Sequence, residues 1–194
     1  MEYFEKPNTP LGEAHQELCK AHGGAPGRVV ELASLTYQRE SLNAVRDELM
    51  TPLIDHWREV AIDQETVPLS PHWEAYESLD RAGCLFVVTV RHEGKLVGYT
   101  CYVVSRGLHY DLKVASIDVF YVDSAYRSKA GIRLFREAEK ILSAEGVQRV
   151  TSKVKLNHDV GGIFKHLGYE EIERVYLKRL NDPGPQAAEE RRII

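Results

Sequence analysis

Residues 115–146 read ASIDVFYVDSAYRSKAGIRLFREAEKILSAEG, and two periodicities meet inside them. Ile117, Val119, Phe120, Tyr121 and Val122 are β-branched or aromatic and crowd both faces of the backbone, the pattern of a strand buried on each side. Asp123-Ser124-Ala125 makes a turn. Beyond it Ile132, Leu134, Phe135, Ala138, Ile141 and Leu142 recur at steps of three and four, which predicts a helix stopped by Gly146. A helix start leaves backbone N–H groups unpaired and carries partial positive charge. Arg127, Lys129 and Arg133 add full charges there, so residues 127–131 are suited to holding a phosphate or pyrophosphate. The turn lacks the GxxxxGK of a P-loop, and its single glycine cannot supply GxGxxG.

The rest of the chain sets the frame. With 194 residues, 43% hydrophobic content and a net charge of −4, one globular domain with a small appendage is expected. No apolar run is long enough to cross a bilayer, and MEYFEKPNTP lacks a basic region leading into an apolar one, so a cytoplasmic location is expected. Cys19, Cys84 and Cys101 are odd in number and scattered, and the eight histidines form no HExxH, which suggests neither a disulfide framework nor a metal site. Residues 1–28 are rich in Pro and Gly and read as an N-terminal extension, and 181–194 as a polar tail.

Between them, 28–36 alternates as a first strand. Leu42, Val45, Leu49, Leu53, Trp57 and Val60 follow at helical spacing, with Pro52 leaving open two helices or one kinked helix. Ser70-Pro71 opens another helix, carrying Trp73, Tyr76 and Leu79 on one face and ending at Gly83. Residues 84–91 and 96–105 form a hairpin around His92-Glu93-Gly94-Lys95. After the helix that ends at Gly146, 148–156 reads as a strand, 159–167 as a short helix and 169–180 as a terminal strand or hairpin.

This order, together with three short matches, resembles the GNAT acyltransferases over 29–180. The first match is the strand, turn and helix of 115–146. The family's turn reads Gln or Arg followed by xxGxG or xxGxA. Opening on Arg127 puts Ala130 and Ile132 at the glycines; the preferred register makes Gly131 the second glycine, with Lys129 at the first and Tyr126 at the opening. The second match is Leu96-Val97-Gly98-Tyr99, and the third is Asn157 to Tyr169, NHDVGGIFKHLGY. A narrower likeness, to acyltransferase-like proteins of tailed bacteriophages, rests on Leu108-His109-Tyr110 and His158-Asp159. The resemblance implies a mixed α/β fold: a central twisted sheet of about six to seven strands, helices on both faces and a splayed pair of parallel strands.

It also implies acetyl-coenzyme A as cofactor and a small-molecule or peptide amine as acceptor. Main-chain contacts to the acyl arm would come from Phe120, Tyr121 and Val122. The pyrophosphate would lie on Arg127, Ser128, Lys129, Ala130, Gly131 and Ile132, and Asn157 would contact the pantetheine. A homodimer is compatible with proteins of this shape.

Amine acylation needs a proton acceptor, because an alkyl ammonium with a pKa of about 10.4 is almost wholly charged near neutral pH. Asp118 is the leading candidate for the base. A carboxylate inside an apolar strand is costly unless it faces a wet cleft or a cation, and Ser116 shares its face. The competing reading pairs Asp118 with His109 or an arginine for stability alone. His109 and Tyr110 precede this strand, and His158 opens the last helix, where each could relay a proton. The position at which many family members carry an acidic tyrosine is Phe164, so Tyr110, Tyr121 or His158 must substitute, or the thiolate leaves unassisted. Trp57 and Trp73 are expected to pack in the core. Two other classes stay open: a binding or virion-associated module of this shape without turnover, and, disfavoured by the acidic balance, a nucleic-acid base modifier.

Overall fold

Apolar alternation over 85–122 builds three long strands, and everything else is arranged on them. The computed structural model describes residues 34–64 and 66–180, without the side chains of Ser128 and Lys129. The elements are β1 (Leu35–Glu40), α1 (Leu42–Val60), α2 (Trp73–Arg81), β2 (Leu85–His92), β3 (Lys95–Arg106) and β4 (Lys113–Val122). A 3-10 turn (Ser124–Tyr126) leads into α3 (Arg127–Ala144), followed by β5 (Arg149–Thr151) and α4 (Gly161–His166). The sheet runs β1-β2-β3-β4-β5, antiparallel except for the β4/β5 pair, which is parallel. Glu93 and Gly94 close the β2–β3 hairpin with φ of 51° and 81°, as a two-residue turn between twisted strands requires.

Helices cover both faces. On one, Ala130, Leu134, Phe135, Ala138 and Leu142 of α3 and Phe164 of α4 pack on Phe86, Val88, Tyr102, Ala115, Ile117 and Val122. On the other, Leu42, Val45 and Leu49 of α1 pack on Leu85, Val87, Leu96, Tyr99 and Cys101, with α2 at the margin. Cys101 pairs with Val119 but Tyr102 with Ile117, so Asp118 is an extra residue, a β-bulge in β4. The bulge switches the alternation: Ile117, Phe120 and Val122 belong to the α3 face, Val119 and Tyr121 to the α1 face.

Three elements differ from expectation, and one open alternative is decided. The first strand is Leu35–Glu40 rather than 28–36, of which 28–33 lie outside the described residues. Its register is set by β2, where Arg91 holds Glu40 at 3.0 Å. Of the two readings left open for 42–60, the structure takes the single helix, with Pro52 inside it. β5 has three residues instead of nine, because the chain leaves β4 after Thr151. Residues 169–180 form no strand: Ile172, Val175, Tyr176 and Leu177 are exposed, and β-rich composition without a partner edge does not make a ladder. The sheet therefore has five strands among the described residues. The expected extension and tail, 1–28 and 181–194, also lie outside the described residues. Among the described residues no helix is long and apolar enough to cross a membrane.

Candidate active site

β4 and β5 pair only over Val114–Ser116 and Arg149–Thr151, and the last rung carries a hydrogen bond between the Ser116 and Thr151 hydroxyls, 2.8 Å. Beyond it, 117–122 has no strand partner on that side among the described residues. The Asp123 N–H donates to Val97 O of β3 at 2.9 Å. Main-chain groups alternate along a strand, so those of Tyr121 also turn toward β3 while those of Phe120 and Val122 turn to the open side. Two of the three positions expected to contact an acyl arm through the main chain thus face the gap.

A groove of about 180 Å³ lies where the strands part, lined by Ser116, Ile117, Asp118, Thr151 and Lys153. The bulge turns Asp118 toward α2, where the Tyr76 hydroxyl donates to its Oδ2 at 2.5 Å. Burial, then this hydrogen bond, pushes the Tyr76 phenol well above its ordinary value, so Tyr76 keeps its proton and Asp118 is the acceptor. Asp118 is exposed, and its partner is neither His109 nor an arginine. His109 and Tyr110 sit in the 107–112 connection with their rings 6.4 Å apart, and neither hydrogen bonds to Asp118. Tyr110 is 78% exposed.

The other end of the open edge is cationic. Tyr126, the N-cap of α3, makes no side-chain hydrogen bond to the first turn of the helix. Arg127 donates Nε to Val122 O at 2.8 Å and places its two terminal nitrogens on the Glu59 carboxylate at 2.7 and 2.5 Å. Burial raises the Glu59 carboxyl, but the hydrogen bond and charge of Arg127 outweigh it and leave it below its ordinary value. His158 Nε2 stands 3.6 Å from the same carboxylate. Lys155 Nζ and Asn157 Nδ2 donate to Val60 O at 3.2 and 3.4 Å, so the end of α1 is seated between the start of α3 and the 155–158 turn. His56, 6.0 Å from the Tyr121 ring, is pushed down to about 4, first by burial and then by the Lys155 charge, and is neutral near pH 7. Ala130 is buried; at Gly131 a Cβ would meet Val122 at an ordinary 4.0 Å, so packing does not require glycine; Ile132 is partly exposed.

Phe164 is 5% exposed, with its ring 5.2 Å from both Phe135 and Tyr169, and supplies no acid. Trp73, expected in the core, packs against the α1-face cluster and also, with Trp57, Tyr76 and Val119, lines a cavity of about 260 Å³ between α1, α2 and the 67–71 segment. Two partners escaped the sequence reading. Tyr76 was legible as a residue on the apolar face of its helix, three positions after Trp73, but not as the partner of Asp118, and nothing marks Glu59 as the partner of Arg127 across 68 positions.

Residues 43–169 match the sequence model of the Acetyltransferase (GNAT) family. No curated protein matches the chain by sequence. Among solved structures, the chain is similar to an aminoglycoside acetyltransferase from an uncultured soil metagenomic sample, solved with trehalose. The TM-score is 0.61 at 19% identity over 77% of this chain and 99% of that one. A ribosomal-protein-alanine N-acetyltransferase from Brucella melitensis gives a TM-score of 0.59 at 14% identity, covering 75% and 99%. An aminoglycoside N-acetyltransferase in complex with CoA gives 0.59 at 14% identity, covering 75% and 94%. At such identities these likenesses speak for the fold.

Proposed function

The chain belongs to the GNAT acetyltransferase family, and on that premise we propose that it transfers an acetyl group from acetyl-coenzyme A to the primary amine of a small-molecule or peptide acceptor by direct attack. The observation that carries this reading is the parting of β4 from β5 after Ser116, with a carboxylate on the bulge at one end of the gap and an uncapped, cationic helix start at the other. The residues present fit the cofactor: an unpaired strand edge for its amide-bearing arm and helix amides for its phosphates. When bound, acetyl-coenzyme A supplies the activated acetyl carbonyl.

The chain's own residues supply the rest. Asp118 takes the ammonium proton, directly or through a water lodged beside Ser116, while the Tyr76 O–H holds the carboxylate in place. The N–H of Phe120 or Val122, on the open side of β4, would polarise the acetyl oxygen. The first-turn amides of α3 would hold the pyrophosphate, with Arg127 beside them once released from Glu59. Asn157 reaches the arm from the 155–158 turn on giving up Val60 O. Burial raises the Tyr121 phenol, which keeps its proton and is the candidate donor to the departing sulfur in place of Phe164.

Titrating the protein with acetyl-coenzyme A tests the assignment. Ligand at one hundred times its dissociation constant adds about 2.7 kcal/mol of stability, visible as a rise in melting temperature, and free thiol appears when an acceptor amine is present. No change in melting temperature overturns the proposal. Binding without thiol release across a broad amine panel favours the alternative, a module that keeps the fold without turnover, for which Phe164 is the motivation.

A further inference from the structure

The cavity between α1, α2 and the sheet has a composition unlike its surroundings. Trp57, Leu69, Trp73, Tyr76, Tyr99 and Val119 contribute to its wall, and no charged side chain lines it among the described residues. Its volume is about 260 Å³. A dry apolar cavity of about 150 Å³ already accommodates benzene, so this one admits a single aromatic ring with a short alkyl chain. It opens to solvent beside the 67–71 segment, as a concave, mostly apolar ligand site does. The Tyr99 hydroxyl, in the same wall, is buried without a hydrogen-bond partner, a second sign that the protein alone does not complete this space.

The cavity is joined to the reacting end of the gap through one residue. Tyr76 lines it and, at its hydroxyl, holds Asp118, which lines the groove where β4 and β5 part. Apolar space thus ends at a carboxylate. From this juxtaposition we infer that the acceptor is a small arylalkyl monoamine, its ring in the cavity and its ammonium on Asp118; the inference rests on the transferase reading above. A polycation is disfavoured, since every charge beyond the first would enter a wall that offers it no partner. In the transfer the amine nitrogen forms the amide bond, the thioester C–S bond breaks with its electron pair leaving on sulfur, and the ammonium proton passes to Asp118 and out to solvent.

Both tryptophans of the chain, Trp57 and Trp73, line this cavity, so intrinsic fluorescence reports its occupancy without any turnover. The full chain is titrated with 2-phenylethylamine, spermidine and kanamycin, with and without coenzyme A. The expected result is a saturable change for 2-phenylethylamine at a concentration at least about tenfold below any response to the polycations. Leu69→Phe, on a partly exposed loop, narrows the cavity and weakens that binding by about tenfold. Should that variant fail to fold, Trp73→Phe widens the same space, and calorimetry then finds the preference shifted from 2-phenylethylamine toward the two-ring tryptamine. Equal or tighter binding of a polycation overturns the inference, as does a missing response to 2-phenylethylamine, or unchanged selectivity in the variants. A protein that binds 2-phenylethylamine but never releases thiol loses the transferase reading alone; one that acetylates spermidine and ignores 2-phenylethylamine loses the pocket alone.

Discussion

On the α3 and α4 face of the sheet, the rings of Phe120, Phe135 and Phe164 meet one another, and Phe164 meets Tyr169, at 5.1 to 5.9 Å. On the α1 and α2 face, an equally aromatic set, Trp57, Trp73, Tyr76 and Tyr99, surrounds a cavity. Composition does not separate the two. The helices do: α3 presents Ala130 and Ala138 to the sheet, small residues that let its backbone approach, whereas α2 has no buried residue and stands off on Trp73 and Tyr76. Close approach closes aromatic rings into solid core, and standing off leaves rings that belong to the core on one side and line a cavity on the other. The bulge at Asp118 assigns neighbouring residues of β4 to one face or the other.

The sharpest way to break this contrast is to damage one face at a time. Asp118→Asn, on the hollow side, is expected to lower kcat/KM by about 10²–10⁴ while shifting stability by no more than about 1 kcal/mol, since Asn still accepts the Tyr76 hydrogen bond. Phe164→Ala, on the solid side, is expected to cost about 3–5 kcal/mol in denaturant titration. If the two variants behave alike, the faces are not functionally distinct.

A smaller effect is expected at Glu59, whose carboxylate occupies Arg127 at the start of α3. Glu59→Gln frees that guanidinium and removes a negative charge from the phosphate site, so coenzyme A should bind about tenfold tighter in calorimetry. Weaker binding would mean that Glu59 holds Arg127 in its working position.

The smallest effect is a pH slope. Native His56 sits at about 4 against about 6.5 when exposed. In that interval the unfolded chain binds a proton that the native chain does not, so stability falls as pH drops from about 6.5 and levels below about 4. Glu40, Glu48 and Glu59, held below their ordinary value chiefly by arginine partners, add their losses at the acid end of that range and beyond it. His56→Gln should flatten the upper part of the profile, measured as denaturant midpoint against pH. An unchanged slope would place the titrating group elsewhere.

Much of the fold was legible because neighbouring residues settle it. The apolar run of β4, the three-and-four spacing of α3 and the glycine turn at Gly94 each carry their own signal within a few positions. Where a partner decides, the reading slipped. β1 moved along the chain because its register belongs to β2, and 169–180 stayed irregular because no strand edge receives it among the described residues. In the site, Asp118 stood out as a lone carboxylate in an apolar strand, and Arg127 as a cation at a helix start. Their partners, Tyr76 and Glu59, lie 42 and 68 positions away and gave no local sign.

The amino-acid sequence alone, through short-range periodicity and turn chemistry, determined that a strand, a turn and a cationic helix follow one another and that a carboxylate interrupts the strand. Only the tertiary structure decided which way that carboxylate points, which hydroxyl holds it and that a cavity lies beside it. A bulge shows itself only against the paired strand, and a void is defined only by the distance at which helices distant in sequence come to rest.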